Sequence, residues 1–209
     1  MSESNYSIRN VVEPISMGPT LLAIRKPQRA VGGAVATRTL DGSGRRFLRE
    51  LLRDGRCCAS PGLARDSLLR FYCSHCGLRW SVSHSAGFII AARSRWHVGI
   101  DIQSRVRRDA ALRWLNRTAQ IENATLEHWS VAEAALKALG NAGTRADVHR
   151  LRLPEVLGVG WTTVSIVAIA GGRNTSDQRA QVLVWSHAKS VGALAILDSN
   201  INEKQIEEN

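Results

Sequence analysis

The sequence predicts an α+β fold of two similar α/β lobes with a cleft between them. Two observations carry this. Stretches with strand alternation, Trp80–Ser85 and Val98–Gln103, are interspersed with stretches of helical spacing, Phe47–Leu52 and Trp129–Leu139. In addition, each half reads helix, helix, hairpin. Trp80-Ser81…His84…Gly87 followed by Ile89–Ala92 is loosely echoed by Trp185-Ser186-His187…Gly192 followed by Leu194–Leu197. On this reading residues 1–97 form an N-terminal lobe, 98–198 a C-terminal lobe and 199–209 a polar tail, with the strand ending at Asp101 at the junction.

The elements follow in order. Val31–Thr37 is β-branched and small, as a first strand would be. Leu40–Gly44 reads as a turn, with Ser43 placed to cap a helix. That helix carries Phe47, Leu48, Leu51 and Leu52 on one face and Arg45, Arg49, Arg53 and Arg56 on another, with Gly55 as its stop. The Arg stripe suits either a solvated face or an anion dock. Ser60-Pro61 opens an expected short helix with Leu63, Leu68 and Leu69 apolar. In Cys73-Ser74-His75-Cys76 the spacing invites a zinc reading, but the other cysteines are the adjacent pair Cys57-Cys58. Adjacent side chains rarely converge on one tetrahedral ion, so a half-buried loop with free thiols is the expectation.

Trp80–Ser85 and Phe88–Ala92 make a hairpin turning at Ala86-Gly87, with His84 at its end, and the Asp101 strand is a possible sheet neighbour. After the basic run Arg105–Arg108 comes a helix with Ala111, Leu112, Trp114 and Leu115, then a polar link from Asn116 to Thr125. Trp129–Leu139 is a strong helix by propensity, stopped by Gly140. Trp161–Ala170 is a strand, Gly171–Asp177 a polar turn, and Gln181–Trp185 with Val191–Leu197 a hairpin; 199–209 is a loose tail.

Composition narrows the function classes. The chain has 209 residues, 44% apolar, with 28 Lys and Arg against 18 Asp and Glu and a net charge of +10. Nearly all the excess is Arg, which pairs with planar anions, so a phosphorylated ligand, nucleic acid or an acidic protein would suit it. No apolar run approaches the ~20 residues of a membrane span. Met1–Thr20 lacks the pattern of a signal peptide, and four Cys without one suit a reducing compartment, so a cytoplasmic protein without membrane partners is expected.

In Val98-Gly99-Ile100-Asp101-Ile102-Gln103, alternation sends Asp101 and Gln103 to one side, where two oxygens can share a hard cation, with Gly99 leaving room for a ligand. Trp129, Glu133 and Lys137 are spaced i, i+4, i+8 and share one helix face, presenting a carboxylate beside an ammonium.

Together these residues resemble the 4′-phosphopantetheinyl transferases of the surfactin-synthetase-activating type. Ser83-His84-Ser85 matches the family's Ser-His-Ser turn. Gly99-Ile100-Asp101-Ile102 matches Gly-Ile/Val-Asp-x-Glu, with Gln103 in place of Glu. Trp129, Glu133 and Lys137 match Trp-x-x-Lys-Glu-x-x-x-Lys, with Ala132 in place of the first Lys. The resemblance runs from about Val31 to Asp198. It implies a holo-[acyl-carrier-protein] synthase activity. The phosphopantetheine arm of coenzyme A would move to a Ser of an acyl, polyketide or peptidyl carrier protein, releasing adenosine 3′,5′-bisphosphate.

The resemblance also assigns roles. Mg²⁺ would be held by Asp101, Glu133 and Gln103. Glu133, or a water it orients, would take the Ser proton. Lys137 would meet a phosphate, and His84, within Ser83-His84-Ser85, would hold the 3′-phosphate or a pyrophosphate oxygen. Arg45 and Arg49 are candidates for the adenosine end. Arg79 stands roughly where the family often has Gly-Lys-Pro. The partners would be coenzyme A and an acidic carrier, met by the Arg45, Arg49, Arg53 helix or, as the better-placed surface directly after Gln103, by the run Arg105, Arg107, Arg108, and a monomer would suffice. Two alternatives stay open. One is a degenerate relative that binds coenzyme A or a carrier without turnover. The other is a basic nucleic-acid binder, which would need aromatics interleaved with the Arg residues.

Overall fold

The computed structural model describes residues 6–11, 20–25, 40–54, 56–85, 88–106, 108–140, 145–170, 173–187 and 189–197. Alternation becomes strands in two antiparallel sheets. The first contains β1 (Tyr6–Val11), β2 (Thr20–Arg25), β3 (Leu63–Arg65), β4 (Phe71–Cys73), β5 (Arg79–Ser85) and β6 (Phe88–Ser94), in the order β1-β2-β6-β5-β4-β3. The second contains β7 (Val98–Ser104), β8 (Leu151–Arg152), β9 (Gly160–Ala170), β10 (Arg173–His187) and β11 (Ser190–Leu197), in the order β7-β11-β10-β9-β8. The fold is therefore mixed α and β with antiparallel sheets, as expected of an α+β chain.

The period-2 pattern sorts the core into layers. Helix α1 (Leu40–Arg53) buries Phe47, Leu48, Leu51 and Leu52 against Trp80 and Ala91 of the first sheet. Ile90 and Ala92 of β6 pack with Val98, Ile100 and Ile102 of β7 and with Leu194 and Ile196 of β11, joining the two sheets. The alternate residues of β11, Ala193, Ala195 and Leu197, pack in another cluster with Val131, Ala134 and Ala138 of α3 (Leu126–Leu139) and Leu115 of α2 (Asp109–Ala119). Gly140 ends α3 in the left-handed region at φ 90°.

Several expectations are corrected. Residues 63–65 form β3, not a helix after Pro61. Asp66 decides this: its Oδ1 accepts from the Leu68 and Arg70 amides and its Oδ2 pairs with Arg70, closing a β3–β4 turn with Leu69 at φ 62°. Helix α1 already begins at Leu40, where a turn was expected. Helix α2 runs to Ala119, into the expected polar link, and β10 begins at Arg173, within the expected turn. The first half thus has one helix and three consecutive antiparallel pairs, β1–β2, β3–β4 and β5–β6, among its described elements where helix, helix, hairpin was expected. The expected strand at 31–37, the Gly55 cap, the Ala86-Gly87 turn and the tail at 199–209 lie outside the described residues.

Candidate active site and a four-thiol cluster

β7 is an edge strand of its sheet, bonded along one side to β11. Its other side does not pair with β5 as a sheet neighbour; β5 pairs with β6 and β4. Side chains do the joining. Ser81, Ser83 and Ser85 alternate along β5, and their hydroxyls accept from the amides of Ile100, Ile102 and Ser104. The exposed ladder of an edge strand is thereby satisfied by hydroxyls.

Asp101 sits on this seam, 3% exposed. Its Oδ1 accepts from Ser83 Oγ at 3.0 Å and Lys137 Nζ at 2.9 Å. Its Oδ2 accepts from Gln103 Nε2 at 2.7 Å and Ser130 Oγ at 3.1 Å. Lys137 Nζ also donates to the Ile100 carbonyl at 2.9 Å. A carboxylate has about four acceptor positions, so Asp101 is saturated. Asp101, Gln103 and Glu133 are hard oxygen donors and fit Mg²⁺ in kind. For Asp101 to bind a metal, one of its donors must leave; Lys137, half-buried and on a flexible stem, is the one best able to move to another anion.

Beside the pair is a cavity of about 710 Å³, lined by Gly44 and Arg45 of α1, Arg65, Phe71, and Val82, Ser83 and His84 of β5, with Asp101 and Lys137. That volume is in the range of small-molecule sites. The Arg65 guanidinium lies over the Phe71 ring at 4.3 Å, and partial burial together with the Arg45 charge lowers its pKa. Two mutually repelling guanidiniums, a Lys and a His around one space make a place for a polyanion.

The expected site residues divide. Asp101, Lys137, His84, Ser83 and Arg45 line one cavity. The Ser83 hydroxyl, expected at a ligand, is spent on Asp101 and the Ile102 amide. Gln103 is turned onto Asp101 through its amide nitrogen. Glu133 is half-buried on α3, one turn before Lys137. Arg49 is exposed on α1. Arg79 pairs with Asp66 at 3.5 Å and covers Tyr72, so it does not stand among the cavity-lining residues named above. Gly99 makes room for a helix and not for a ligand: a Cβ there would lie 1.8 Å from the Ala134 carbonyl oxygen. Ala132 is in the core, 2% exposed, and presents nothing to a phosphate. Arg105 is engaged by Glu127 at 3.0 Å and by Ser186. Arg107 lies outside the described residues.

Ser130 and Arg65 were missed. Ser130 is seven residues before Lys137, hence on the same helix face, and that spacing was the available signal. Arg65 had none, because its strand was read as helix. The four cysteines are free thiols, as expected, but the adjacent pair Cys57-Cys58 converges with Cys73 and Cys76, against expectation. Cys57, Cys58, Cys73 and Cys76 have sulfurs all within 4.8 Å of one another. Cys57-Cys58 lies in a bend after α1, outside helix and strand, so adjacent side chains are not forced apart.

No helix among the described residues is long and apolar enough to cross a membrane. No family model matches the chain, and no curated protein matches it.

Proposed function

We propose that this chain transfers the 4′-phosphopantetheine arm of coenzyme A to a serine of an acidic carrier protein. The observation that carries the reading is the convergence of three separated motifs on one seam. His84, Asp101 and Lys137 line a single cavity together with Arg45 and Arg65. The matched residues are far apart in sequence, and a chance resemblance would not require them to meet. A two-lobed transferase-like fold, with the cavity at the lobe junction, belongs to the same proposal.

In the reaction the carrier Ser oxygen attacks the phosphorus that bears the pantetheine arm. A new P–O bond forms there, and the bond to the bridging oxygen breaks, so adenosine 3′,5′-bisphosphate departs with that oxygen. Arg45, Arg65 and His84 hold the phosphates, and charge-assisted bonds of this kind contribute ~1.5–3 kcal/mol each. Lys137, drawn from Asp101 onto the pyrophosphate, meets the growing negative charge. Glu133 takes the Ser proton, directly or through a water. Asp101, with Glu133 and Gln103, would hold Mg²⁺, whose chemistry is to neutralise the pyrophosphate and the leaving phosphate.

The test is incubation with coenzyme A, Mg²⁺ and an apo carrier, read by mass spectrometry. The carrier should gain the mass of the arm, and Asp101→Asn should abolish the gain with the fold intact. A second reading, binding of coenzyme A without turnover, is favoured by the saturation of Asp101 and by Gln103 standing where the family has a carboxylate. Coenzyme A binding by calorimetry without mass gain would decide for it.

A further inference from the structure

We propose that Cys57, Cys58, Cys73 and Cys76 bind one Zn²⁺ as a closed tetrathiolate centre that staples the chain after α1 to the β3–β4 hairpin. It stands on thiol geometry alone and does not depend on the transfer reaction. A tetrahedral zinc with Zn–S of ~2.3 Å needs sulfurs roughly 3.8 Å apart. The sulfurs of Cys57 and Cys76 are 3.2 Å apart, those of Cys58 and Cys73 are 3.6 Å apart, and all four fall within 4.8 Å. The two close pairs thus each join one residue of the vicinal pair to one residue of the Cys-x-x-Cys turn. Soft thiolates in a set of four select zinc over the hard cations suited to Asp101.

The turn has the backbone of a metal knuckle. The Gly77 amide donates to the Cys73 carbonyl at 2.8 Å, and Gly77 takes φ 74°, which suits glycine. His75 is exposed and stands outside the group.

The fold also has a use for a staple here. β3 and β4 have three residues each and form the far edge of their sheet, too short to hold by pairing alone. Further supports are the β4–β5 pairing, Ser74, whose amide and hydroxyl donate to the Gly62 carbonyl, and the Asp66–Arg70 turn. Arg65 and Phe71 of this hairpin line the cavity, so the zinc would set the position of one of its walls.

The experiment takes the full chain expressed in zinc-supplemented medium and purified under reducing conditions. Elemental analysis should find one zinc per chain, released stoichiometrically by a thiol-modifying mercurial. Replacement by Co²⁺ should give thiolate-to-cobalt charge-transfer absorption and the visible bands of a tetrahedral site. Cys58→Ser and Cys76→Ser should lose zinc, and His75→Ala should keep it. The unsubstituted chain's metal content and cobalt spectrum stand even if a Cys variant fails to fold. Zinc well below one per chain with no tetrahedral cobalt spectrum would overturn the proposal. So would a Cys57–Cys76 disulfide in the reduced preparation, or zinc retained by both Cys variants.

Discussion

At Asp101 and Lys137 a buried carboxylate and a half-buried ammonium neutralise one another, and the pair makes stability and ligand binding compete. Lys137→Met removes the cation paired with Asp101 and leaves three neutral donors to it among the described residues. Breaking a buried pair from one side costs about 3–5 kcal/mol, less where a partner reaches solvent as Lys137 does. Lys137→Met should therefore lower the urea midpoint, and millimolar Mg²⁺ should restore part of the loss by taking the vacated charge position. Asp101→Asn combined with Lys137→Met should show no such restoration. His97 gives a separate residue-scale prediction. Burial first, then the Arg70 and Arg79 charges, bring its pKa down from 6.5 to about 4, with Asp66 opposing. The unfolded chain binds the proton more readily, so from about pH 6.5 down to about pH 4 stability falls as pH falls. His97→Gln should flatten that limb in denaturation midpoints taken across the window.

At the scale of elements, α3 against β7 is the contact on which the site depends. Gly99 lets the helix backbone touch the strand, and this places Ser130 and Lys137 on Asp101. A Cβ at 1.8 Å from a backbone oxygen cannot be absorbed by a flexible side chain. Gly99→Ala should shift α3, lower the melting temperature sharply and weaken phosphate-ligand binding together. Ala132→Lys, which the family pattern alone would recommend as a gained phosphate contact, should destabilise instead, because the position is inside the α3 core. Overpacking costs ~1–3 kcal/mol, and a buried ammonium adds to it. Thermal melts of the two variants, against an Ala135→Ser control of smaller volume change, check this.

For the whole molecule the relevant quantity is a net charge of +10, mostly Arg. Arg105 is already paired with Glu127, whereas Arg45, Arg46, Arg49 and Arg53 are exposed along α1, which reaches the cavity at Arg45. An acidic carrier should therefore meet α1. Arg49→Glu with Arg53→Glu should raise the KM for the carrier severalfold and leave that for coenzyme A nearly unchanged. Raising salt to ~0.5 M should have the same selective effect, because the Debye length falls below 10 Å. An unchanged carrier KM in the double variant would remove α1 as the docking surface.

Elements whose signal is local were legible in the sequence. The β7 alternation, the α1 apolar face and α3 with its Gly140 stop each depend on side chains repeating at the element's own period and on nearby caps. The sharing of one space by His84, Asp101 and Lys137 was expected only through a resemblance, and it is brought about by the packing of α3 on β7 together with the serine seam that holds β5 beside β7. What tertiary structure alone decided is of another kind. The Asp66 turn made a hairpin of a leucine-bearing stretch that reads as helix. Gly99 admitted a helix and not a ligand, Arg65 reached the cavity, and four thiols from two segments converged. Each depends on which distant segment lies opposite, and spacing along one chain carries periodicity within an element but no record of what packs against it.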